Sequence, residues 1–208
     1  MVDYQTQSKI MNADFTTILT QSIESSPRPS SASLVTALQQ AETAAKRDKL
    51  IIPFDELLGE WRLAFATGAN KSKSTSKPDK GFYLPKFTPA SIAFTREDDS
   101  LITATVTNQL EVGLVKFKFT GPCRYLEKKN IVVFDFTAIY FYILRQKIYQ
   151  SKIRSGKDNV PKFEELSIDK NGADTIANLP FFSFFWTSPT GIAARGRGGG
   201  LALWTKFI

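Results

Sequence analysis

Asp135 lies in the middle of Ile131-Val-Val-Phe-Asp-Phe-Thr-Ala-Ile-Tyr-Phe-Tyr-Ile-Leu144, the longest apolar run in the chain. A carboxyl in such company could keep its proton at neutral pH and serve as a general acid. The other acid pairs, Asp98-Asp99 and Glu164-Glu165, are adjacent residues that a strand would point to opposite faces, so they read as surface charge. Cys123 is the one cysteine; it excludes an intrachain disulfide and fits a buried thiol in a reducing compartment better than a nucleophile. There is no histidine among the 208 residues. That removes Ser-His-Asp and Cys-His catalysis, the commonest general base, and any imidazole or thiolate metal site. A hydrogen-bonded or lysine-paired Asp135 explains its position without catalysis. No catalytic residue, metal or cofactor is expected; the chemistry left is binding.

Charge and aromaticity say what could be bound. Residues 1–60 hold 5 basic and 8 acidic groups, whereas residues 61–208 hold 22 and 12, so the basic field belongs to the second part. Its partner should be anionic. Two runs concentrate the charge: Lys71, Lys73, Lys77 and Lys80 in a polar loop, then Arg145, Lys147, Lys152 and Arg154 in a stretch without acids up to Lys157. After both runs, the window Leu179-Pro-Phe-Phe-Ser-Phe-Phe-Trp186 puts aromatics on both faces of any strand drawn through it. Phe184, Phe185 and Trp186 could therefore lie on a membrane surface, line a cavity mouth, or pack under helices. Basic runs with an aromatic wedge are what a peripheral protein needs to dock on an anionic bilayer. Arg195-Gly-Arg-Gly-Gly-Gly200 occurs once and runs into a strand, so it reads as a turn rather than as an RNA-binding box, and nucleic acid is not expected.

These groups must be positioned by a mostly β fold. Ile10 to Ile23 and a stretch from Ser31 or Ser33 to about Lys49 carry apolar residues at helical spacing, separated by a Ser/Pro break. From Trp61 the period becomes two, with Trp61, Leu63 and Phe65 on one face. Further strands read as 91–95, 100–107, 112–120 (Val115, Phe117 and Phe119 inward), 122–126, one or two in 131–144, then 163–168, 175–179 and 201–207. The expectation is a helical segment over residues 1–52 and an antiparallel barrel of about eight strands over residues 53–208. The 131–144 run is too short to cross a bilayer as a helix and contains Asp135, so no transmembrane segment is expected. The chain's start lacks an apolar core segment and the arginine-rich look of a transit peptide.

Leu57-Leu-Gly-Glu-Trp61-Arg-Leu-Ala-Phe65 near the front and Arg195-Gly-Arg-Gly-Gly-Gly-Leu-Ala-Leu-Trp204-Thr-Lys206 at the end are the pairing that lipocalin-like barrels use to close. In those barrels a late arginine, here Arg195 or Arg197, lies over the early tryptophan, here Trp61. Together the two stretches resemble the opening and closing motifs of the plastid lipid-associated proteins, or fibrillins, from about residue 30 to the end. The sequence departs from that pattern in Ala64-Phe-Ala-Thr67, where a Tyr-Thr pair is more usual. The resemblance implies a lipocalin-like barrel preceded by helices, in a thylakoid-associated or cytoplasmic protein of a cyanobacterium or a plastid protein. It also implies association with thylakoids or plastoglobules and binding of quinones, carotenoids or acyl lipids.

The expected function is thus non-enzymatic binding of an apolar lipid or isoprenoid at an anionic photosynthetic membrane. Expected calyx residues are Trp61, Leu63, Phe65, Phe117, Phe119, Phe134, Phe136, Tyr140 and Leu203. Two alternatives remain: a scaffold protein whose barrel is filled by its own phenylalanines (there are 17), and a lipid-acting enzyme working through Asp135 or a lysine.

Overall fold

A computed structural model describes residues 15–24, 26–68, 80–85, 90–96, 104–153 and 179–207. Residues 15–24 form helix α1. Helix α2 spans Ser31–Arg47, and its N-cap is Ser30, whose Oγ accepts the Ser33 N–H at 3.1 Å. Lys46 and Arg47 occupy the last turn, where the helix dipole favours cations. The apolar stripe Leu34, Val35, Ala37, Leu38 and Ala41 is buried, and this burial rather than propensity holds the helix.

A 3-10 turn, Phe54–Leu57, leads into the strands. These are β1 (Gly59–Thr67), β2 (Gly81–Tyr83), β3 (Ala90–Arg96), β4 (Ala104–Val112), β5 (Val115–Leu126) and β6 (Ile131–Phe134), followed by β7 (Ala138–Ile143), β8 (Gln146–Lys152), β9 (Phe181–Ser188), β10 (Gly191–Gly196) and β11 (Leu201–Lys206). All their pairings are antiparallel. The order β1–β3–β4–β5–β6–β9–β10–β11, with β11 back on β1, closes an eight-stranded up-and-down barrel. Ring order follows chain order, β7 and β8 intervening between β6 and β9, and closure of β11 on β1 leaves the ring itself without an edge.

The wall is taller on one side. β5 pairs with β6 along Cys123–Leu126 and with β7 along Val115–Thr120. β6 and β7 are therefore two halves of one strand position. From Phe134 to Ile139 the chain takes five steps, while the facing β5 takes four from Cys123 to Phe119, so one extra residue bulges out. Gly121 permits it: a Cβ there would sit 1.7 Å from the Asp135 carbonyl oxygen. β8 and β9 are halves of the next position, since Ile153 donates to the Thr137 carbonyl and Phe134 to that of Pro180. The outer halves of β4 and β5 with β7 and β8 make a four-stranded flap beyond the ring.

Several sequence expectations shift. The strands expected at 112–120 and 122–126 are one strand, β5, and the 131–144 run is two. Within the basic stretch Gln146–Lys152 is β8, and two strands outside the expected set, β9 and β10, precede the last one. Residues 163–168 and 175–178 lie outside the described residues.

Candidate functional site

Two buried clusters separate what the sequence placed in one calyx. The barrel interior collects Trp61, Ile92, Phe94, Val106, Cys123, Val132, Phe134, Phe184, Ile192 and Trp204, with Leu63 and Phe136 packed against it. A second cluster, on the outer face, joins α1 and α2 to Phe65, Phe185, Trp186, Ala193, Leu201 and Leu203. Phe65 and Leu203 are register partners and point into this layer, so neither lines the barrel. The cause is a β-bulge between Leu63 and Phe65, which flips the alternation of β1. The membrane-surface expectation for Phe184, Phe185 and Trp186 is likewise corrected, because all three are buried. Phe184 fills the barrel, and the other two lie under the helices.

The closure differs in its cation. The side chain over the Trp61 ring is Lys206, with Nζ 5.4 Å from the ring centroid, and the indole N–H donates to the Leu57 carbonyl at 2.8 Å. Arg195 instead reaches α2: its guanidinium donates to Glu42 from Nε at 3.0 Å and from Nη2 at 2.5 Å, and to the Gly199 carbonyl from Nη1. Burial pushes the Glu42 carboxyl up, yet its bonds to Arg195 and Lys46 outweigh this and hold it below its ordinary range. Arg197 is exposed in the β10–β11 turn, its N–H donating to the Phe181 carbonyl. Gly199 supplies a positive φ of 87° in that turn.

Inside the barrel a chain of rings runs toward the flap. Phe94 packs on Phe184 (5.9 Å between centroids), Phe182 on Trp204 and on Phe134 (5.4 Å each), Phe134 on Phe136 (5.1 Å) and Phe136 on Phe119 (5.7 Å). Phe119 opens onto the flap. Since side chains alternate along β4 and β5, the face that lines the barrel at Val106 and Cys123 continues outward as Leu110, Val112, Val115, Phe117 and Phe119. β7 and β8 extend that face with Ile139, Phe141, Ile143 and Tyr149, and Phe117 packs on Phe141 at 5.0 Å. Phe117 is nevertheless 38% exposed, so this apolar wall is open to solvent beyond the ring. Tyr140 lies on the opposite face, paired with Lys118 and covered by Lys147 at 6.0 Å, so it does not join the apolar wall.

The structure thus brings together Trp61, Leu63, Phe134 and Phe136 in the barrel and Phe117 and Phe119 on the wall, and it separates Phe65, Tyr140 and Leu203 from them. Phe141 and Tyr149 were missed. Ile139, Phe141 and Ile143 alternate visibly in the sequence, whereas an irregularity at Phe141/Tyr142 hides the phase of β8. Of the expected basic residues, Lys80, Arg145, Lys147 and Lys152 are exposed, while Lys71, Lys73, Lys77 and Arg154 lie outside the described residues. Asp135 is buried at the bulge, and burial alone pushes the Cys123 thiol up to about 12, a poor nucleophile. Among the described residues no helix is long and apolar enough to cross a membrane. No family model matches the chain, and no curated protein matches it either.

Proposed function

We propose that the protein binds an apolar lipid or isoprenoid without chemical change, at the surface of a photosynthetic membrane or lipid body. The single observation that carries this reading is the open apolar wall, an extension of the barrel lining that ends in half-exposed rings. An apolar ligand laid on Phe117, Phe119, Ile139 and Phe141 gains roughly 25 cal/mol per Å² of surface removed from water, before ordering costs. The ligand class and the photosynthetic setting follow the fibrillin resemblance of the two chain ends, and the order of helices and then barrel is in keeping with it. Binding is at the mouth, where surface is free, rather than deep in the ring-filled barrel.

The scaffold reading keeps one observation in its favour: the ring chain from Phe94 to Phe119 occupies the interior with the protein's own side chains. Organic extraction and mass spectrometry of protein from its native membranes, beside a denatured and refolded control, decides between them. A near-stoichiometric quinone, carotenoid or acyl lipid in the native sample alone supports binding. An empty native protein sinks it and favours the scaffold.

A further inference from the structure

The flap ends in two hairpin tips held side by side. In the first, Gly113 supplies a positive φ of 61° and Leu114 follows it; in the second, Leu144 and Arg145 both have positive φ, 51° and 66°, the signs of a type I′ turn. The Leu144 N–H donates to the Leu114 carbonyl at 2.9 Å, which ties the tips together. Leu114 and Leu144 are 66% and 63% exposed. A type I′ turn is cheapest with Asn-Gly, and a bulky side chain at positive φ is strained. Folding thus gains nothing from the most exposed apolar residue of the second tip. Strain of that kind points to function.

Cations surround the leucines. On the polar face Glu111, Lys116 and Tyr142 are cross-strand neighbours, with Lys118 two residues along, and the Lys116 ammonium lies 5.7 Å from the Tyr142 ring centroid. A groove of about 630 Å³ lies here, lined by Lys116, Lys118 and Arg145 with Glu111 as its single acid, and Leu114 and Leu144 are also in its lining. We propose that the joined tips insert into an anionic bilayer: Leu114 and Leu144 enter the interfacial region, and Lys116, Lys118 and Arg145 hold anionic headgroups in the groove. The inference rests on the lipid-binding reading above and locates its membrane contact. Charge selects the occupant, because a second copy would bring its own cations to the same place. Area does too: two turns fall far short of the roughly 800 Å² per partner of a stable protein interface. Inserted this way, the tips set the apolar wall running from the bilayer to the barrel.

The test uses the full chain with vesicles of phosphatidylcholine alone and of equal parts phosphatidylcholine and phosphatidylglycerol. Wild type should float with the mixed vesicles only, and high salt should release it. The triple change Lys116→Gln, Lys118→Gln, Arg145→Gln should weaken mixed-vesicle binding on the order of a hundredfold. Leu114→Ser with Leu144→Asn should weaken it at least roughly tenfold, with thermal unfolding no lower than wild type, since both side chains are exposed and Asn relieves the positive-φ strain. Leu114→Cys carrying a polarity-sensitive dye should shift to the blue on mixed vesicles; buried Cys123 stays unlabelled. Wild-type affinity in the tip variants, an unshifted dye, or tip-dependent self-association in place of vesicle binding overturns the assignment. If native protein yields lipid on extraction while wild type ignores anionic vesicles, the tips fail and ligand binding stands.

Discussion

Gly121 shows how one residue can decide an architecture. Its missing Cβ lets the Asp135 carbonyl approach, so the strand opposite β5 can bulge and continue as β7 instead of ending. Gly121→Ala should cost about 2–3 kcal/mol, read in chemical denaturation, because the obstacle is backbone on both sides. Asn130 has a comparable place. It sits at φ 51°, accepts the Ile52 N–H on Oδ1 at 2.9 Å and donates from Nδ2 to the Leu50 carbonyl at 2.6 Å, so the β5–β6 corner grips the linker from the helices. Cys123 makes a second residue-scale prediction. With its thiol pushed up by burial, native protein at pH 8 should leave a thiol reagent unconsumed, and denaturant should release one equivalent per chain. Rapid labelling of native protein would contradict its place in the barrel.

At the scale of elements, the informative contact is α2 on the barrel. The helix brings a greasy stripe and one acid, Glu42, which meets Arg195 from the far end of the chain, the two side chains being 12% and 30% exposed. Glu42 gives up its proton more readily in the folded protein than in the unfolded chain. The stabilisation it lends is therefore full above the ordinary glutamate value of 4.5 and fades as pH falls through the lower folded value. Glu42→Gln should cost about 2 kcal/mol at neutral pH and flatten the acid limb of the stability profile, measured by thermal melts across pH. A variant that melts like wild type at every pH would show that the apolar stripe alone fixes the helix. This arginine or Arg197 was expected over Trp61. A lysine took that position because β11 pairs antiparallel with β1 and sets Lys206 directly opposite Trp61, whereas Arg195, on β10, has Leu201 as its β11 neighbour.

For the molecule as a whole, barrel and flap divide the labour between stability and exposure. Phe134 is 4% exposed within the ring chain and Phe117 far more open on the same continuous face. Phe134→Glu should therefore abolish folding, a buried unpaired charge costing several kcal/mol. Phe117→Glu should keep the melting temperature within about 3 °C and still lose bound apolar ligand, assayed by extraction. If both variants fold and carry ligand equally, the wall is not the site.

The fold was legible in the sequence because alternation is local. Trp61-Arg-Leu63, the Val115 to Phe119 series and the two front helices each announce their period over a few residues, and the missing histidine and lone cysteine settle on composition alone which catalytic apparatus cannot be built. The site was legible only in part. Phe117, Phe119, Phe134 and Phe136 could be picked from the local alternation, but Phe65 and Leu203 could not be assigned to a face, because a bulge shifts the phase by one residue without leaving a mark in the local pattern. Pairing decided the rest. Where Arg195 and Lys206 point, which aromatics the helices cover, and that β4, β5, β7 and β8 rise above the ring depend on contacts between distant parts of the chain. Sequence fixes the side-chain period of each strand; only the closed barrel defines which side is inside.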